Sequence, residues 1–190
     1  MVFQKYASHL RAKEYEGEKG LIQSSEGKKR VVLPETKIPV MIDPVKKTEY
    51  DELTSVWESS VKATHHFLSE ADFEFYKKLV PAFFDHVTLY CIKNEQQQII
   101  AFAGTNEGNL EMLFVAADQR GKGSGKELLL HVLEHSGVTK VDVNAQNEQA
   151  VKFYEYFGFE TKSTSELDGF GKPYPILHME LKKNPLIEKE

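Results

Sequence analysis

Leu110-Glu-Met-Leu-Phe-Val115 is a short apolar run that leads, two residues on, into Asp118-Gln-Arg-Gly-Lys-Gly-Ser-Gly125. The segment that follows places Leu128, Leu129, Val132 and Leu133 on one face at helical 3/4 spacing. Strand, glycine-rich turn, helix start is a backbone arrangement suited to anions. The first amides of a helix lack intrahelical partners, and the helix dipole adds partial positive charge there. Glycine accepts backbone angles that let successive N–H groups converge. Arg120, Lys122 and Lys126 add full charges around Gly121, Gly123, Ser124 and Gly125. A phosphate or pyrophosphate site is one reading of this loop. A tight strand-to-helix turn with solvated lysines is the other.

The loop fits neither common nucleotide motif. A Walker loop needs four residues between its first glycine and Gly-Lys-Ser/Thr. Only three separate Gly121 from Gly125-Lys126, and Glu127 stands where the metal-binding hydroxyl belongs. The dinucleotide pattern G-x-G-x-x-G is met only as G-x-G-x-G.

Downstream, Val141-Asp-Val143 reads as a strand. Asn147-Glu-Gln-Ala150-Val-Lys-Phe153-Tyr154-Glu-Tyr-Phe-Gly158-Phe159 follows it. Arg120-Gly-Lys-Gly-Ser-Gly125 resembles the acetyl-CoA loop of the GNAT N-acetyltransferases, and the Asn147–Phe159 pattern resembles that family's second signature. From about Ile38 the chain is also similar to the bacterial YjaB-type members, through Trp57-Glu-Ser-Ser-Val-Lys-Ala-Thr-His65-His66-Phe-Leu68 and Gly171-Lys-Pro-Tyr-Pro175. About four fifths of the chain is covered.

The resemblance implies a mixed α/β fold, with a mostly antiparallel central sheet flanked by four helices. It implies acetyl transfer from acetyl-CoA directly to a primary amine, with no metal. The CoA phosphates would sit on amides from Arg120 to Gly125, with Lys126 beside them. The pantetheine arm would pair with backbone at Leu113, Phe114 and Val115, where family members splay two strands, and Asn147 would hydrogen-bond it. Asn147 is equally favoured as a helix N-cap. Ser124 and Ala117 depart from common family residues without disturbing the loop. Tyr154 would be the general acid for the leaving thiolate, and Glu111 the candidate base. Strand alternation puts Glu111 on the face of Leu113, and an exposed strand carboxylate would look the same. Trp57, His65, His66 and Tyr174 are candidates for the acceptor wall, with Lys172 and His178 nearby. A solvated histidine pair is an equal reading of His65-His66.

With 190 residues, 41% hydrophobic and 28% charged, the composition is that of a globular protein with one domain, or one domain and an appendage. Residues 1–36 read as an extension, with a possible helix at Tyr6–Glu16 and a hairpin around Ser24–Gly27. Residues 37–190 read as the catalytic domain. The single cysteine, Cys91, lies in an apolar run. It makes no disulfide framework or thiolate zinc site and reads as a core thiol. His65 and His66 lack a third metal ligand at motif spacing. A net charge of −5 argues against nucleic acid as the main partner. No run approaches the roughly 18 apolar residues of a membrane span, so a cytoplasmic monomer or homodimer with no membrane partner is expected.

The expected elements are a strand at Ile38–Asp43, helices at Glu49–Ala63 and from Ser69 to a stop at Pro81, and a meander of Val87–Lys93, Ile99–Thr105 and Asn109–Val115. Then come a helix from Ser124 to Ser136, a strand at Lys140–Asn144, a helix at Asn147–Phe157, and strands at Phe159–Ser165 and Tyr174–Lys182. The acceptor stays open among polyamine, amino acid, aminoglycoside, peptide N-terminus and protein lysine. The rival functions are a non-catalytic acyl-CoA-binding sensor and a nucleotide-phosphate binder.

Overall fold

A computed structural model describes residues 41–182. The expected N-terminal helix and hairpin, and the start of the first expected strand, lie outside the described residues. The elements are β1 (Ile42–Pro44), α1 (Tyr50–Thr64), α2 (Glu70–Phe84), β2 (Thr88–Lys93), β3 (Ile99–Asn106), β4 (Asn109–Val115), α3 (Ser124–His135), β5 (Lys140–Asn144), α4 (Glu148–Tyr156), β6 (Phe159–Ser165) and β7 (Ile176–Leu181). The sheet order is β1-β2-β3-β4-β5-β7-β6. Every neighbouring pair is antiparallel except β4 and β5.

Alternation along β3 sorts the core into two layers. Phe102 faces α1 and α2 with Leu53, Trp57, Tyr76 and Phe84. Ala101 and Ala103 face the other way, toward Leu128, Leu129 and Val132 of α3 and Tyr154 of α4. Short alanine side chains on a strand let a helix approach closely without voids. Cys91 is fully buried as expected, and burial pushes its thiol up to about 11.

Within the described residues, two boundaries differ from expectation by more than one residue. Helix α2 does not stop at Pro81 but runs through it to Phe84. Proline removes one helical hydrogen bond, but Phe83 and Phe84 beyond it are 5% and 1% exposed. Burying two phenyl rings, about 1.5–3 kcal/mol each, outweighs that loss. Strand β7 begins at Ile176, not Tyr174. Pro173 and Pro175 have no N–H to give to a ladder, and the Tyr174 amide instead closes a turn on Lys172 O.

Candidate active site

The parallel pair β4–β5 touches at only two positions, Asn109↔Lys140 and Leu110↔Val141. Beyond them the strands part, and the β5-facing peptide groups of β4 have no strand partner. A bulge lies at the same point. Gly104 pairs with Met112 and Thr105 with Leu110, so Glu111 opposes no residue of β3. The fork opens into a cavity of about 400 Å³, walled by Leu110–Val115, Val141–Val143, the glycine loop, the start of α4 and the end of α1.

At the mouth, Gly121 and Gly123 have φ of 75° and 99°. Among the described residues nothing lies within 4 Å of a Cβ built on either. Gly123 is the N-cap of α3 and has no side chain to cap it. The first helical bond there is Glu127 N–H to Gly123 O. The amides of Ser124, Gly125 and Lys126 precede it, and all three residues line the cavity. Amides at a helix start without intrahelical partners are suited to an anion. The flanking cations are arranged differently. Arg120 spans sideways, donating to Ala63 O (3.5 Å) and to Gln149 Oε1, and so ties the end of α1 to α4 across the loop. Lys122 donates to Gln119 Oε1 at 3.1 Å and is not in the cavity wall.

Tyr154 lines the cavity from α4 and is 7% exposed. Burial raises its phenol well above the ordinary range, so it stays protonated. Asn147 lines the cavity too, but its Oδ1 accepts the Ala150 amide at 3.2 Å, which makes it the N-cap of α4.

Glu111 is 2% exposed, not a solvated strand carboxylate, and its Oε1 accepts from Asn109 Nδ2 at 2.9 Å. The ladder around it is irregular. Leu110 packs with the α3/α4 layer and Met112 with the α1/α2 layer, so alternation breaks at the bulge between them.

The acceptor-wall candidates separate. Trp57 is fully buried, stacked 5.5 Å from Phe73, and absent from the cavity wall. The 3/4 spacing of α1 that buries Leu53, Val56 and Val61 buries Trp57 with them. His66 is exposed and away from the cavity. His65 is 7% exposed and lines both the main cavity and a small one beside it, where Tyr174 also sits. The Tyr174 hydroxyl donates to Asp72, which also pairs with Lys172. These contacts, Lys172 first, hold the Asp72 carboxyl at about 2. Lys172 is therefore committed to the protein rather than to the cavity. His178 is paired with Asp142 at 2.6 Å. Asp142 lines the main cavity, and only its polar place in Val141-Asp-Val143 signalled it in the sequence.

Burial, with the Arg120 charge adding to it, lowers the His65 pKa from 6.5 to about 3. As pH falls, the unfolded chain takes up this proton first. Stability is then fully present above about pH 6.5 and is lost toward pH 3, at up to ~1.4 kcal/mol per pH unit. His65→Gln, which cannot titrate, should lose about 2 kcal/mol less than the parent between pH 7 and 5 in urea melts. Identical pH dependence would remove His65 from the linkage.

Among the described residues no group of three or more His, Cys, Asp or Glu is placed to hold a metal ion. No helix among them is long and apolar enough to cross a membrane.

Comparison with known proteins agrees with this geometry. Residues 56–182 match the model of the acetyltransferase (GNAT) domain. Peptidyl-lysine N-acetyltransferase YjaB of Escherichia coli is 39% identical over 131 residues, covering 69% of this chain and 89% of the relative. Its Salmonella typhimurium counterpart is 37% identical over 131 residues, covering 69% and 90%. The solution structure of apo-form YjaB from Escherichia coli superposes with a TM-score of 0.71 at 36% identity, over 76% of this chain and 99% of that one. A Thermoplasma acidophilum PaiA N-acetyltransferase in complex with coenzyme A shares the fold, with a TM-score of 0.57 at 17% identity over 75% of this chain and 99% of that one. A chain with this sheet order, this fork and these matches belongs to the GNAT acetyltransferase family and is an N-acetyltransferase.

Proposed function

We propose that the protein takes its acetyl group from acetyl-CoA and gives it to the side-chain amine of a lysine in a peptide or protein. One observation carries the donor. Unpaired α3 amides, an unpaired β4 backbone and a protonated phenol line one cavity. The open cradle at Gly121 and Gly123 fits a diphosphate, and β4 from Leu113 to Val115 offers peptide groups to an amide-bearing arm. The names of the relatives at 37–39% identity support lysine as acceptor.

When bound, acetyl-CoA supplies a thioester-activated acetyl group. In this reading the chain's residues do the rest. The Ser124–Lys126 amides hold negative charge at the helix N-terminus. Tyr154 gives its Oη proton to the leaving sulfur. Glu111 takes up the proton that the attacking amine loses.

The test is a lysine peptide incubated with acetyl-CoA, read by free thiol and by peptide mass. Thiol release matched by one acetyl per peptide is expected. CoA binding without turnover would favour the sensor. Gly123→Val should weaken CoA binding roughly tenfold or more, because a side chain at that φ costs about 1–3 kcal/mol and disturbs the cradle. Unchanged affinity in a folded variant would move the phosphates elsewhere.

A further inference from the structure

The cavity wall holds two groups whose hydrogen-bonding roles are fixed by residues behind them. Thr64 Oγ1 donates its one proton to Ser60 O at 2.8 Å. Toward His65 Nδ1, 2.7 Å away, it can then only accept. The proton of the neutral ring is therefore on Nδ1, and Nε2 is a bare lone pair. Among the described residues that nitrogen is buried without a hydrogen-bond partner, on a residue 7% exposed that lines the cavity. A buried polar atom left unmatched costs about 1–3 kcal/mol unless something fills the role.

Asp142 is the second group. A carboxylate only accepts, so His178 Nδ1 is the donor of their 2.6 Å bond to Oδ1. Ser165 Oγ lies 2.8 Å from the other ring nitrogen and braces the imidazole from the edge strand. Oδ2 of Asp142 has no protein partner among the described residues. Both residues line the one cavity, His65 from the end of α1 carrying a lone pair and Asp142 from β5 carrying an anionic oxygen. A hydroxyl or secondary amide has one hydrogen to give and meets one of them. A carbonyl oxygen is repelled by both. A protonated primary amine has three N–H donors, no acceptor and a positive charge.

We infer that His65 Nε2 and Asp142 Oδ2 form an acceptor-only receptor for the ammonium of an alkyl primary amine, with Thr64 and His178 as its positioning residues. This names the recognition groups of the amine on the acetyl-transfer reading above, but the binding itself does not depend on transfer.

The test uses the full chain loaded with CoA and ¹⁵N-labelled at histidine. Nα-acetyl-lysine methylamide is titrated against Nα-acetyl-norleucine methylamide, which lacks the ammonium. The His65 Nε2 resonance should shift with the lysine compound and not with norleucine. Asp142→Asn and His65→Phe should each weaken lysine-compound binding roughly tenfold or more, the range of a lost charge-assisted bond, with CoA affinity held within about twofold. His178→Leu should weaken it similarly, and His178→Asn, which keeps an N–H toward Asp142, should restore most of it. Equal response to norleucine, unchanged lysine binding in both Asp142→Asn and His65→Phe, or a parallel fall in CoA affinity overturns the inference. Turnover measured on the same samples separates the two readings. A parent that binds the amine and transfers nothing refutes acetyl transfer and keeps the receptor. A parent that transfers with the same amine KM as both variants refutes the receptor and keeps acetyl transfer.

Discussion

Replacing Tyr154 by Phe should lower kcat roughly a hundredfold or more, the usual contribution of a positioned general acid, while CoA affinity stays within about twofold. The ring stays where it packs, between Phe153 and Phe159 at 5.3 and 5.7 Å. Only the hydroxyl is lost. Among the described residues that hydroxyl has no protein hydrogen-bond partner, so its removal orphans nothing and should leave the fold intact. The split matters, since a packing defect would lower binding and turnover together. Stopped-flow turnover and calorimetric CoA binding on one preparation check it. Unchanged kcat would take Tyr154 out of the chemistry and leave it as a core aromatic.

Trp57→Ala should cost about 3–5 kcal/mol of stability, the range for emptying a buried aromatic site. For a chain of this size that is a fall in Tm of roughly 10 °C. Trp57 is fully buried and stacked nearly parallel on Phe73, with 19° between the rings. Its Nε1 has no partner among the described residues, so the loss is of packing rather than of a hydrogen bond. Below the melting transition, the amine KM of Trp57→Phe should match the parent. A raised amine KM with stability intact would put Trp57 back in the acceptor wall.

These two aromatics show what the sequence could and could not say. Trp57 was read as an acceptor-wall residue, yet its 3/4 spacing with Leu53, Val56 and Val61, a local property, marks it as buried. Tyr154 was placed by a motif whose residues share one loop-and-helix unit, and the cavity reaches it. The glycine loop was legible for the same reason, as were the meander and the α3–β5–α4 succession. The burial of Glu111 was not legible, because the sequence read it equally as an exposed strand carboxylate and alternation assumes an unbroken ladder. The bulge that breaks it depends on pairing with Gly104 and Thr105, which no local pattern of β4 reveals. Asp142 went unread because Val-Asp-Val looks like any half-buried strand. Its place in the cavity wall comes from the parting of β4 and β5 beside it, and its partner His178 is 36 residues away in the chain. Helix α2 overran Pro81 because burial of Phe83 and Phe84 is a tertiary term that breaker rules omit.

The order of the strands puts β1 and β6 at the two outer margins of the sheet. One is three residues long and ends on Pro44, which has no N–H to offer a newcomer. The other shifts register between Thr161 and Ser163, at the charged Lys162 that lies 3.5 Å from Glu160. Shortness, proline, a kink and charge are the means by which sheet proteins keep copies from zipping together rim to rim. Among the described residues, continued strand pairing between copies is thus disfavoured at both margins of the sheet.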